Sequence, residues 1–143
     1  MLRGIPDLIS PDLLKILSEM GHGDDLVIGD LNFPAASNAK RLVRLDGHAV
    51  EPVLKAILDL YPLDIYVDSP VSLMRVVARD PTVPKIQDTI RTMVKLWDTR
   101  PTAVGLIDRF EFYEKARNAF AIVTTGETAL YACIILKKGV FGR

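Results

Sequence analysis

His22 stands between Gly21 and Gly23, with Asp24 and Asp25 behind it, and a short apolar run, Leu26-Val27-Ile28-Gly29, leads to Asp30. Histidine is the side chain whose unperturbed pKa lies closest to neutrality, which suits it to proton transfer near pH 7. Glycine neighbours keep bulk away from the ring and allow the backbone unusual dihedrals. Asp24 and Asp25 could orient the ring and favour its imidazolium form. An aspartate where a strand stops sits where open α/β sheets place ligand contacts, and its ionised carboxylate accepts several hydrogen bonds from hydroxyls. Together these residues point to acid–base chemistry on a small polar molecule. Plainer roles compete: His22 capping a helix or facing solvent, Asp24 and Asp25 capping the turn or facing water, and Asp30 capping the turn near Asn32.

A second group lies towards the other end of the chain. Arg109 opens the stretch Arg109-Phe110-Glu111-Phe112-Tyr113-Glu114 behind an apolar strand. There it can make directional hydrogen bonds to a polyhydroxylated ligand, or form a surface ion pair. Tyr131, among Ala129, Leu130, Ala132 and Cys133, either fills the core or aims its hydroxyl into a cleft. Cys133 reads as a buried small hydrophobe, and His48, after the Asp46-Gly47 turn, as exposed. His22, Asp24, Asp25 and Asp30 carry metal-donor atoms, but no His-x-x-x-His or cysteine pair supports a site, so no metal is expected. No Gly-x-Gly-x-x-Gly, Walker loop or nucleophile elbow occurs either, and no cofactor is expected.

The elements that must carry these residues alternate. Ser10-Pro11-Asp12 is a helix start, with a capping serine, proline at the first position and an acid facing the dipole. Leu13, Leu14, Ile16, Leu17 and Met20 follow at helical spacing, and Gly21 is a natural stop. Helical patterns recur over 50–60, from Ile86 to Trp97, and over 110–119. Strand-like runs cover 26–29, 42–45, 63–67, 72–78, 103–107, 121–124 and 129–136. Such alternation predicts an α/β sheet with helices on both faces. The last two strands, if neighbours, must pair antiparallel across a short connection, which makes a mixed sheet the expectation.

At 143 residues a single domain spanning 1–143 is expected. Hydrophobic residues at 49% and charged residues at 25% are globular proportions. Eighteen basic residues balance eighteen acidic ones, so nothing favours nucleic acid or an anionic membrane as partner. One cysteine excludes an internal disulfide and fits a reducing compartment. The opening residues lack a signal-peptide pattern, and no apolar run approaches the ~20 residues that span a bilayer; a cytoplasmic protein is expected. A mean hydropathy of +0.21 is high for a small monomer and favours subunit interfaces.

With these residues assembled, the chain resembles the D-ribose pyranase and L-fucose mutarotase family, and within it the fucose mutarotase branch. The likeness runs through residues 2–20, 21–30, Asn32-Phe33-Pro34-Ala35, 109–114, Phe120-Ala121-Ile122-Val123, Thr125-Gly126-Glu127, Tyr131 and 134–140. It implies a three-layer α/β/α domain with a mixed, mostly parallel central sheet, assembled into a decameric or octameric homo-oligomeric ring whose sites lie at subunit boundaries. It also implies a monosaccharide ligand, with His22 as proton donor, Asp30 and Arg109 as sugar contacts, and Tyr131, Ala132 and Cys133 as a binding triplet. Two positions depart from the family pattern. Cys133 replaces an asparagine, and Ala36 stands where a second histidine is common. The implied activity is interconversion of the α and β anomers of L-fucose or a related sugar. A pyranase acting on ribose or another pentose, and a non-catalytic sugar-binding module, are the rival readings.

Overall fold

The computed structural model describes residues 2–142. Helix α1 (Pro11–Glu19) begins where expected, with Ser10 Oγ accepting from the Leu13 N–H at 3.2 Å. Replacing Ser10 with alanine is expected to lower stability by about 1 kcal/mol, checked by urea unfolding. No basic side chain stands in the last turn of α1; Lys138 Nζ, from the far end of the chain, donates to the Leu17 carbonyl there. Gly23, rather than Gly21, takes the left-handed conformation, at φ +85°, and turns the chain into strand β1 (Asp25–Gly29). After β1 come α2 (Ala35–Asn38), β2 (Leu42–Leu45), α3 (Val50–Leu58) and β3 (Val71–Met74). The chain continues through α4 (Lys85–Val94), β4 (Val104–Ile107), α5 (Arg109–Asn118), β5 (Ala121–Thr125) and β6 (Ile134–Lys137).

The six strands lie in the order β2-β5-β1-β6-β3-β4. β5 runs parallel to both β1 and β2, and β3 parallel to β4, while β6 is antiparallel to β1 and β3. The expected mixed, mostly parallel sheet is therefore present, although not through a closing hairpin, because β1 lies between β5 and β6. Strand residues alternate between two cores. Leu26 and Ile28 pack with Leu13, Leu17, Leu54, Ile57, Ile90 and Val94, from α1, α3 and α4. Val27 faces the other way, towards Ala35, Phe112 and Ala116 of α2 and α5. Covering both faces explains why β1 is a continuous apolar run, and the result is the three-layer α/β/α arrangement.

Three expected strands are shortened or absent, each for a local reason. Residues 63–67 form no strand: Leu63 makes one isolated bridge to Lys138. Beyond it, the carbonyls of Asp64, Ile65 and Val67 accept from the Arg100 guanidinium, at 3.0, 3.3 and 2.8 Å, in place of a ladder partner. Strand β3 ends at Met74, after which Arg79 adopts φ 69°. β6 starts only at Ile134, because Tyr131 sits at φ 62° and leaves the extended region.

All the parallel strands end at the same edge of the sheet, where the antiparallel β6 begins. Asp30, Arg109 and the Tyr131–Cys133 triplet lie at that edge. His22 lies at the other.

Candidate functional site

Just beyond the C-terminal ends of β1 and β3 is a cavity of about 220 Å3. It is lined by Asp30, Asn32, Phe33, Met74, Asp80, Tyr113, Leu130, Tyr131 and Cys133. Asp30 and Phe33 also border a hollow of about 420 Å3 that runs past Arg44, Asp46 and Thr124. A larger hollow of about 480 Å3 lies by the end of α4. Its buried Asp98 is already spent on Arg100, whose other N–H groups hold backbone carbonyls. The 220 Å3 cavity gathers three of the expected binding residues, Asp30, Tyr131 and Cys133.

Asp30 performs its plainer role and keeps capacity for more. Its Oδ1 accepts from the Asn32 N–H at 3.0 Å, capping the turn, and the half-buried carboxylate still lines the cavity. Gly29, just before it, leaves room for Phe33: a Cβ at Gly29 would lie 2.9 Å from the Phe33 Cβ. Phe33 in turn stacks on Tyr113 at 5.7 Å, and the Arg109 guanidinium stands 5.5 Å from the Tyr113 ring centroid. Arg109 is the first residue of α5 and is exposed beside Tyr113, outside the cavity's lining; the adjacent Asp108 pairs with Arg75.

The triplet divides between the two faces of the sheet. Ala132 is fully buried in the core beneath α1, α3 and α4 and does not line the cavity. Cys133 does line it, and its Sγ lies 3.4 Å from the Asp30 backbone N–H. Burial, with the Asp30 charge nearby, pushes the Cys133 thiol far up, so it stays neutral and is no nucleophile. The Tyr131 hydroxyl donates to Asp80 Oδ2 and receives the Val77 N–H at 3.4 Å.

At the opposite edge, His22 Nε2 lies 3.2 Å from Asp64 Oδ1. Asp64 is the partner that sequence reading missed. Asp24 caps the turn, accepting from the Gly21 N–H at 2.7 Å, and Asp25 pairs with Lys137 at 2.9 Å, so neither orients the ring. Burial works to raise the Asp64 pKa, but the Tyr66 N–H and the His22 ring outweigh it and hold the carboxyl below its ordinary value. An ionised carboxylate has no proton to donate, so the hydrogen lies on His22 Nε2 and leaves Nδ1 as the free nitrogen. The His22 side chain is 46% exposed while that of Asp64 is 4% exposed, giving an outward-facing imidazole on a buried anchor. Tyr66, with its ring 5.5 Å from that of His22, completes the cluster.

A group whose pKa falls on folding binds fewer protons in the native state, so stability rises with pH across its titration. Asp64's contribution is therefore present above 3.8, its ordinary value, and lost as pH falls through the lower native one. In urea melts, Asp64→Asn is expected to flatten this acid limb; an unchanged acid limb would refute the assignment.

β1 separates the two clusters. Its five residues span about 13 Å at ~3.3 Å per step, so one chain does not bring His22 to Asp30. No group of three or more His, Cys, Asp or Glu among the described residues could hold a metal ion, and no helix among them is long and apolar enough to cross a membrane.

Residues 3–141 match the model of the RbsD / FucU transport protein family, a span that includes both clusters. The chain belongs to this family. The L-fucose mutarotase of Histophilus somni is 44% identical over 140 residues, covering 98% of this chain and 97% of that one. The human fucose mutarotase is 44% identical over 149 residues, covering 97% and 94%. The crystal structure of the Streptococcus pneumoniae fucose mutarotase in complex with L-fucose superposes with a TM-score of 0.94 at 51% identity, covering 99% of this chain and all of that one. The matched span takes in all six strands and both candidate clusters.

Proposed function

We propose that this chain is a sugar mutarotase, an isomerase that interconverts the α and β anomers of L-fucose. The observation that carries this reading is the half-exposed imidazole of His22, fixed on buried Asp64 with Nδ1 free. That is a positioned proton shuttle at a surface. The acceptor-lined cavity at the other edge is the kind of site that holds a polyol, and the similarity to a fucose mutarotase crystallised with L-fucose supports the choice of sugar.

Anomer exchange opens and recloses a hemiacetal. His22 Nδ1 first takes up a proton from solvent to give the imidazolium; the C1–O5 bond then breaks with its electron pair passing to O5, which takes that proton from Nδ1, directly or through water. The anomeric hydroxyl gives its proton to water and becomes the aldehyde oxygen. Rotation about C1–C2 presents the opposite carbonyl face, and reclosure returns the proton to His22. Asp30 and Arg109 hold the sugar; Tyr131 and Cys133 line its place, with Ala132 contributing backbone between them. Because one chain separates His22 from Asp30, a neighbouring copy supplies the imidazole, consistent with a decameric or octameric ring. The lone cysteine suits a reducing cytoplasm.

Saturation-transfer NMR on the anomers of L-fucose, D-ribose and a panel of other sugars tests the assignment. Accelerated exchange of L-fucose is the expected result. Binding without accelerated exchange of any sugar would leave a non-catalytic sugar-binding module, and acceleration confined to ribose would identify a pyranase.

A further inference from the structure

Tyr131 is reached from two sides by residues absent from the sequence-derived site. Its carbonyl accepts from Gln87 Nε2 at 3.1 Å, and the same nitrogen donates to the Met74 carbonyl at 2.8 Å. Gln87 is 3% exposed, so a buried amide braces the residue whose φ is 62°. At the other end of the side chain, Tyr131 Oη lies 2.5 Å from Asp80 Oδ2. Asp80 belongs to the connection between β3 and α4, where its Oδ1 accepts the Thr82 N–H at 2.9 Å. Asp80 therefore lines the cavity alongside Asp30 and Tyr131 while remaining tied to its own loop.

A phenolic hydroxyl has one proton to give and lone pairs to receive. The proton goes to Asp80. One acceptor position takes the Val77 N–H. What Tyr131 retains for a ligand is a single acceptor site and no donor. Asp30 and Asp80, as carboxylates, are likewise acceptors only.

We propose that Asp80 is a positioning residue for the sugar site, committing the Tyr131 hydroxyl as a hydrogen-bond acceptor for a hydroxyl that the ligand donates. The proposal rests on the mutarotase reading for the identity of that ligand. It has a mechanistic consequence: with its proton engaged, Tyr131 is not the acid that protonates the ring oxygen, and that step is left to the imidazole. It has a specificity consequence too. The wall formed by Asp30, Asp80 and Tyr131 selects a ligand that presents hydroxyl donors, while Asn32 and Tyr113 in the lining and Arg109 beside Tyr113 offer donors to its acceptors. The hydrogen bond to Asp80, together with burial, also holds the Tyr131 phenol above its ordinary value of 10.0.

The test uses Asp80→Asn, Tyr131→Phe and the double variant, with two readouts. The first needs no sugar. Ultraviolet titration of tyrosinate, with Tyr131→Phe assigning the signal, is expected to show the Tyr131 transition moving down in Asp80→Asn. The second is the Kd for L-fucose, followed by NMR titration. Asp80→Asn and Tyr131→Phe are each expected to weaken binding about tenfold, as for one lost hydrogen bond to a charged or charge-oriented group. The double variant should be little worse than either single one, because both remove the same interaction. In the exchange assay the loss should fall on KM, with kcat within about twofold. An unshifted tyrosinate transition, or fully additive losses in the double variant, would overturn the role of Asp80. Wild-type protein that binds L-fucose but does not exchange its anomers would defeat the mutarotase reading, while weaker binding in Asp80→Asn would still uphold the positioning role.

Discussion

His22→Ala is expected to slow L-fucose anomer exchange by about 10²–10⁴-fold, the usual worth of a positioned general acid–base group. That corresponds to roughly 3–5 kcal/mol of barrier. The residual rate should approach that of the sugar in water, since hemiacetals open there unaided. The fold should survive, because the ring is half-exposed and its removal frees Asp64 to be solvated from the surface. Asp64→Asn is the informative companion. It keeps the shape and an acceptor oxygen on Nε2, because that oxygen also takes the Tyr66 N–H at 3.0 Å, but it removes the negative charge against which the protonated ring is held. A loss of about tenfold or more is expected from that change alone, part of the full acid–base contribution. Undiminished exchange in His22→Ala, measured by saturation-transfer NMR, would remove the imidazole from the mechanism.

Mixing two inactive variants is expected to restore activity. His22→Ala keeps an intact cavity around Asp30, and Asp30→Ala keeps an intact His22–Asp64 pair. Since β1 holds these clusters at opposite edges of one chain, the proposed active centre draws its halves from two copies. In co-refolded equal mixtures, about one centre in four would combine both intact halves by random assembly. The recovered rate should therefore be about a quarter of wild type. Either variant alone, or the two mixed after assembly without subunit exchange, should show none of it. No recovery in verified mixed oligomers would mean that the imidazole and Asp30 do not serve one centre.

Much of the architecture was legible along the chain because it depends on local periodicity. The apolar stripe from Leu13 to Met20, its Ser10 cap, the doubly covered run Leu26-Val27-Ile28 and the stripe through Ile90 and Val94 all report burial within a few turns or steps. His22, Asp30 and Arg109 were likewise recognisable, as chemically capable residues at element ends, whereas Tyr131 read as part of a strand over 129–136. Residues 63–67 misled for the same reason: their apolar spacing suits a strand, yet a guanidinium distant in sequence takes their carbonyls. Asp80 and Gln87 gave no local sign of their part, since each meets Tyr131 only after the sheet is assembled.

The separation of His22 from Asp30 belongs to this second kind of information. Residue types and spacing along the chain determined that an imidazole precedes β1 and a carboxylate follows it. Closeness in sequence suggested closeness in space, but a strand is nearly fully extended, so its two ends are as far apart as the chain allows. The tertiary arrangement then decided the partners. β6, running antiparallel, brings Lys137 to Asp25 and Asp64 to the histidine at one edge, and Tyr131 and Cys133 to Asp30 at the other. Those contacts join residues remote in sequence through long-range strand pairing, which no local window of the chain encodes.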